Sequence, residues 1–228
     1  MACGSYPNLR GDLLMIKLIN ADCLPAMKAM PDKAYDLAVV DPPYGLNITK
    51  IWGKAEYGYF EWEKKSWDVQ APDSEYFKEL FRVSKNQIIW GGNYFPLLPT
   101  QCWLIWDKGQ RDFTLADGEM AWTSFKNSMR IFNYSRATAN KQIRIHPTQK
   151  PVALYQWLLK NYAKPGDKIL DTHGGSMSIA IACHDLGFDL TLYEIDKDYF
   201  SDGKARVERH MAQSSLFMQP TELIVEAM

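Results

Sequence analysis

Asp41-Pro42-Pro43-Tyr44 puts a carboxylate, two rigid rings and an aromatic side chain into four consecutive residues. Proline fixes φ and carries no N–H, so peptide carbonyls at this corner lack their usual local donors. The result is stiff and rich in acceptors, with a flat ring beside it. Such a corner suits a planar group that bears an amino donor, such as a nucleobase edge. The bland alternative is a proline turn that ends a strand, and the tetrapeptide alone leaves both open.

A second constellation lies more than a hundred residues later. Lys168 to Leu170 reads as a strand leading into Asp171-Thr172-His173-Gly174-Gly175-Ser176. A helix from Ile179 to Leu186 follows, ended by Gly187, and then a strand from Leu190 to Glu194. Strand, glycine turn, helix, strand and acidic residue form the layout of a Rossmann-type half-site. The glycines permit close backbone approach, and Glu194 can take ribose hydroxyls. The full G-x-G-x-x-G pattern is absent, since Met177 and Ser178 follow Ser176. Asp171 would repel a pyrophosphate but could hold a cationic amine. S-adenosylmethionine has an amino-acid end, a ribose, a sulfonium and no phosphate, and fits these residues better than a dinucleotide.

The elements that must carry these residues alternate along the chain. Met15 to Asn20 reads as a strand, and Pro25 opens a short helix closed by Pro31-Asp32. Tyr35 to Val40 is an apolar run that reads as a buried strand ending at Asp41. Residues 45–72 carry no clear element but hold Trp52, Tyr57, Tyr59, Phe60, Trp62 and Trp67, aromatics that could cover a base. A helix is expected from Pro72-Asp73, and strands at Gln87–Trp90 and Cys102–Trp106. Met120–Phe125 and Met129–Tyr134 flank Lys126-Asn127-Ser128 and read as a hairpin. Pro151 begins another helix, and Asp196 can cap a last one through about Met211. This alternation predicts an α/β fold with a mostly parallel twisted sheet and helices on both faces.

Composition narrows the setting. With 228 residues, 46% of them hydrophobic, the chain fits one compact domain. We expect residues 1–14 to form an extension, 15–212 the domain and 213–228 a tail with one apolar patch at Leu223 to Val225. No run has the length of a membrane span, and no basic segment followed by an apolar one opens the chain. Cys3, Cys23, Cys102 and Cys183 form no C-x-x-C pair and have no His at ligand spacing. Free thiols, a cytoplasmic location and no metal are therefore expected. The net charge is only −1, yet Lys126, Arg130, Arg136, Lys141, Arg144 and Lys150 fall in a stretch without Asp or Glu. That stretch is compatible with phosphate contacts, and equally with a solvated basic loop.

Three segments then coincide: Asp41-Pro42-Pro43-Tyr44, His146-Pro147-Thr148-Gln149-Lys150-Pro151, and Ile169 through Ser178. Together they resemble the permuted, beta-type amino-group DNA methyltransferases, in which the catalytic half precedes the cofactor half. The resemblance spans about residues 15 to 212, with the halves meeting near 145–146. It implies a Rossmann-like methyltransferase fold with S-adenosylmethionine as cofactor. Asp171, Thr172, His173, Gly174, Gly175 and Ser176 would line its methionine part. Glu194, followed by Asp196, would bind the ribose. Asp22, next to Cys23, would meet the cofactor adenine, and Lys150 would close over the methionine end. Asp41 to Tyr44 would hold a flipped target base beside the cofactor. The family's loop resembles D-P-F-x-G-S-G-T, and here Thr172, His173 and Met177 replace its Pro, Phe and second glycine.

The resemblance thus implies an adenine-specific DNA methyltransferase. In this family an Asp at the first tetrapeptide position favours adenine. Recognition of DNA would fall to loops at about 45–72 and 107–145, and to Lys126, Arg130, Arg136, Lys141 and Arg144. Alternatives are methylation of cytosine N4, methylation of RNA, and a binding protein that has kept the fold. A solitary modification enzyme, one half of a restriction pair and a phage-encoded protein share this pattern, and a homodimer stays open.

Overall fold

A computed structural model describes residues 13–46, 69–111, 116–139, 144–214 and 220–227. Its elements, in chain order, are β1 (Leu14–Asn20), α1 (Cys23–Ala29), β2 (Tyr35–Val40), α2 (Ser74–Val83), β3 (Ser84–Trp90), β4 (Leu104–Asp107), β5 (Gly118–Thr123), β6 (Arg130–Asn133), α3 (Arg136–Ala139), α4 (Val152–Tyr162), β7 (Lys168–Asp171), α5 (Ser178–Leu186), β8 (Asp189–Glu194), α6 (Lys197–Ser214) and β9 (Thr221–Ala227).

Among the described residues the strands form one sheet in the order β6-β4-β5-β3-β2-β7-β8-β1-β9. Every pairing is parallel except those of β5, which runs against both β3 and β4. Successive residues of β2 point to opposite faces. Leu37 and Val39 enter the core under α4, α5 and α6, while Ala38 and Val40 enter the core under α1 and α2. Burial on both faces is why the run looked continuously apolar in sequence. The architecture is the α/β, mostly parallel sheet that the alternation predicted, with helices on both faces.

Local chemistry sets the helix ends. The Asp22 carboxylate accepts from the Leu24 N–H at the start of α1, and Asp73 accepts from Tyr76 N–H at the start of α2. Asp196 takes the N–H groups of Asp198 and Tyr199 and caps α6.

Two expectations change. The predicted hairpin of Met120–Phe125 and Met129–Tyr134 does not form. β4 lies between β5 and β6, antiparallel to the first and parallel to the second. Leu104 and Trp106 of β4 are buried, whereas β6 is largely exposed, so the more apolar strand takes the inner place. Residues 213–228, read as a tail, contribute β9, which pairs in parallel with β1 along Leu14–Asn20. Its apolar patch at Leu223–Val225 belongs to that strand.

Cys23, Cys102 and Cys183 are buried thiols outside any disulfide. No helix among the described residues is long and apolar enough to cross a membrane.

Candidate active site

From β2 the chain continues to β3 on one side, and from β7 it continues to β8 on the other. The adjacent C-terminal ends of β2 and β7 therefore mark the switch point, where open α/β sheets bind ligands. Ala38 pairs with Leu170, so Asp171 lies level with Val39 and Asp41 follows two residues further along the neighbouring strand, at the same end of the sheet. This register joins the two constellations that the sequence separates by 130 residues.

The corner itself is tightly held. The Tyr44 hydroxyl donates to Asp41 Oδ1 at 2.7 Å. Burial and the Asp41 charge push the Tyr44 pKa well up, so it remains a phenol donor. The Tyr44 ring stacks on Tyr94, with centroids 5.0 Å apart, and meets Phe95 edge-on. Gly91 lies against the same ring. It has φ +67°, and a Cβ there would come within 2.1 Å of Tyr44 Cε1. Only glycine meets both demands.

Asp41 Oδ2 accepts from the ammonium of Lys150, the lysine of the His146–Pro151 segment. Lys150 is 3% exposed. Its Nζ also lies 3.1 Å from Glu119 Oε2, and Lys108 Nζ lies 2.7 Å from Glu119 Oε1. Burial opposes the charge on Lys150, but Asp41 and Glu119 outweigh it and raise its pKa. Burial likewise works to raise the Glu119 pKa, but Lys150 and Lys108 hold it at about 2. Lys150, expected over the methionine end of a cofactor, has its ammonium on Asp41 of the tetrapeptide corner. Glu119 and Lys108 were missed altogether. The one local signal was an acidic residue directly preceding the apolar run Met120-Ala121-Trp122.

The cofactor half surrounds a second acidic spot. Asp171 is buried and accepts the His173 N–H at 3.0 Å. Burial, with Asp41 and Glu194 nearby, pushes its pKa up to about 8. Glu194 accepts N–H groups from Gly175 at 2.7 Å and Asp196 at 2.8 Å, so it is fixed at the glycine turn. Burial and the charges of Asp22, Asp171 and Glu194 push the Cys23 thiol to about 12, which places that inert sulfur among the three carboxylates.

The replaced loop positions have structural partners. Burial lowers the His173 pKa to about 4, so its ring is neutral and meets Tyr76 edge-on, as a plain aromatic could. The Tyr76 hydroxyl shares a 2.7 Å hydrogen bond with Thr172 Oγ1. Arg206 of α6 donates to the Ser176 carbonyl and to Ser178 Oγ, tying the turn down from behind. His146 packs at the turn, with its ring 4.3 Å from that of Tyr199.

A family model described as DNA methylase, of the N6/N4 methyltransferase type, matches residues 63–205. The chain belongs to the N6/N4 DNA methylase family. That match begins after Asp41-Pro42-Pro43-Tyr44, so the tetrapeptide corner is a separate point of likeness. Among curated relatives, this methylase is 24% identical to the Type II methyltransferase M.HpaI of Haemophilus parainfluenzae, over 84% of its own length and 74% of that protein. It is also 24% identical to the putative methylase YubD of Escherichia coli K12, over 88% and 95% of the two chains. The methylase sheet resembles the M1.HpyAVI complex with S-adenosylmethionine, at 18% identity and TM-score 0.56, over 85% and 99% of the chains. It resembles the cytosine-N4-specific PvuII methyltransferase equally, at 14% identity and TM-score 0.56, over 93% and 96%.

The methylase's basic stretch divides in two. Arg130 opens β6 opposite Leu104, at the N-terminal edge of the parallel sheet, and Lys126 lies in the adjoining connection. Arg136 follows the other end of β6, where its N–H donates to the Lys108 carbonyl. Arg144 donates to the Pro147 carbonyl, within the His146–Pro151 segment. Its pKa is lowered, first by burial and then by the charge of Arg136. Two arginines thus gather at the active-site end, while Lys126 and Arg130 stand a strand length away, about 13 Å. Lys141 and the aromatics from Trp52 to Trp67 lie outside the described residues. The one His/Asp cluster of metal-binding type among the described residues, His184, Asp185 and His210, joins α5 to α6.

Proposed function

We propose that this methylase transfers a methyl group from S-adenosylmethionine to the exocyclic N6 of adenine in DNA. The observation that carries the reading is the Asp41 corner, held at the sheet's switch point next to Asp171. Structures of the same fold, M1.HpyAVI and TTHA0409 of Thermus thermophilus, are S-adenosylmethionine complexes. The residues here fit that cofactor. Asp171 is a buried carboxyl suited to the cationic amine, Glu194, fixed at the glycine turn, would take the ribose diol, and Asp22, at the start of α1, would take the adenine amine.

When bound, S-adenosylmethionine supplies an electrophilic methyl carbon whose bonding pair stays with sulfur as the carbon departs. The chain's own residues prepare the nucleophile. An exocyclic amino nitrogen is poor because its lone pair is delocalised into the ring. Asp41 and the Pro42 carbonyl accept its two hydrogens, which favours a pyramidal nitrogen with its lone pair directed out of the ring. As the N–C bond forms, the nitrogen becomes positive, and the Asp41 carboxylate stabilises that charge and takes the proton it sheds. Pro43 stiffens the corner, and Tyr44 gives the base a stacking surface. The base must leave the duplex to reach this site, at a cost of a few kcal/mol.

The decisive experiment is mass spectrometry of nucleosides from DNA of cells expressing the protein, with duplex DNA, single strands and RNA assayed in parallel in vitro. N6-methyladenine in duplex DNA is expected. N4-methylcytosine, or transfer confined to RNA, overturns the assignment. Cofactor binding without any transfer points to a binding protein.

Phosphate contacts follow the split of the basic stretch. Arg136→Ala and Arg144→Ala should each reduce the slope of log K against log salt by about 0.9, while Lys126→Ala and Arg130→Ala leave it unchanged. Fluorescence anisotropy of a labelled duplex across a salt series checks this.

A further inference from the structure

We infer that Glu119 is a positioning residue for the transfer step, acting through Lys150; the inference rests on Asp41 being the acceptor of the target amino group. Both oxygens of Asp41 are engaged, Oδ1 by the Tyr44 hydroxyl and Oδ2 by the Lys150 ammonium. An arriving amino group therefore competes with Lys150 for Asp41. If the ammonium stayed, it would weaken Asp41 as an acceptor. It would also set a positive charge beside a nitrogen that becomes positive during transfer.

Lys150 cannot simply withdraw into water, because it is 3% exposed. A buried ammonium stripped of its partner is strongly disfavoured. Glu119 removes that obstacle. Its Oε2 already stands 3.1 Å from Lys150 Nζ. Lys108, 2.7 Å from Oε1, fixes the carboxylate from behind. The Trp90 ring, 5.2 Å from the same Nζ, offers its face as a further contact for the cation.

The sheet explains the placement. β5 is the strand that runs against its neighbours, so its first residues, not its last, reach the active-site end. Glu119 pairs with Trp106, one residue before the strand β4 ends. A charge there needs a reason, since β5 continues directly into the buried Ala121, Trp122 and Thr123. Release of Lys150 from Asp41 to Glu119 supplies it. The ammonium is never unpaired, and Asp41 becomes available only when a competing donor arrives.

The test uses the full chain, S-adenosylmethionine and unmethylated plasmid DNA. Glu119→Gln keeps the shape and removes the charge. Its kcat should fall about tenfold, with the cofactor Kd and the KM for DNA within twofold of the parent. Glu119→Asp should recover part of the loss. In a Lys150→Gln background, adding Glu119→Gln should change kcat less than twofold, because the residue it acts through is gone. A Glu119→Gln protein with parental kcat overturns the inference, as does a loss that adds fully to that of Lys150→Gln. If the glutamine variant does not fold, Glu119→Asp decides by the same split between kcat and Kd. A parent chain that binds cofactor but transfers nothing overturns the transferase reading, and the inference with it.

Discussion

Asp41→Ala is expected to reduce kcat for methyl transfer to DNA by about 10³-fold, the scale on which removing one preorganised electrostatic group slows a reaction. The substitution removes an acceptor for the amino hydrogens and the charge that faces the nitrogen as it becomes positive. It should not unfold the protein. Lys150 loses one partner but keeps Glu119 at 3.1 Å, so no buried ammonium is left alone. Tyr44 keeps its stack on Tyr94. Cofactor affinity should therefore stay within about threefold, because the proposed holder of the cationic end is Asp171 and not Asp41. Transfer of a labelled methyl group, with calorimetry of cofactor binding on the same preparation, separates the two effects. Undiminished transfer would remove Asp41 from the reaction.

The parts of the site that were legible in sequence are those built from neighbours in the chain. Asp41 to Tyr44 is a stiff corner whatever surrounds it. Gly174-Gly175 and Glu194 are tied by one strand–turn–helix–strand unit, so their spacing already implies their meeting at 2.7 Å. The ladder Lys108–Glu119–Lys150–Asp41 was not legible, because each rung depends on strand order. β4 had to insert between β5 and β6, and β5 had to run backwards, before Glu119 could face Lys150. Two apolar runs separated by three polar residues satisfy local hairpin chemistry equally well, and only the competition for the inner place in the sheet decides. β9 was obscure for a similar reason: an edge strand with mixed exposure carries little apolar pattern of its own.

Met177 shows how a departure from the family loop is absorbed. It stands at φ +55°, a left-handed conformation that disfavours a side chain by about 1 kcal/mol. Its thioether is fully buried against Gly203 of α6, where an added Cβ would come within 2.7 Å of Met177 Cγ. Burying a methionine side chain contributes about 2 kcal/mol, which outweighs the backbone strain. The side chain thus packs onto α6, while Gly174 leaves room for Leu192 of β8, whose Cδ2 an added Cβ would meet at 2.3 Å.

Asp171→Asn should lower affinity for S-adenosylmethionine by about 100-fold and, at the same time, stabilise the unliganded protein near neutral pH. Both effects have one origin. Burial raises the Asp171 carboxyl from its ordinary 3.8 to about 8 in the absence of a cation. A carboxyl raised on folding contributes its full stability below the unfolded value, and that contribution is lost as pH climbs towards the folded value. The window is therefore about pH 4 to 8, and an amide that never ionises escapes the loss. Binding an ammonium group requires the ionised form, so the parent protein should release close to one proton at pH 7 on taking up the cofactor. Its apparent affinity should accordingly rise with pH up to about 8, above which deprotonation of the cofactor's own amine reverses the trend. Calorimetry in two buffers of different ionisation enthalpy reads the released proton directly, and the Asn variant should release none. A variant that binds a hundredfold more weakly yet melts several degrees higher at pH 7 has lost an interaction with the ligand, not its fold. Binding enthalpies that are independent of the buffer would instead place the cofactor's cation elsewhere than on Asp171.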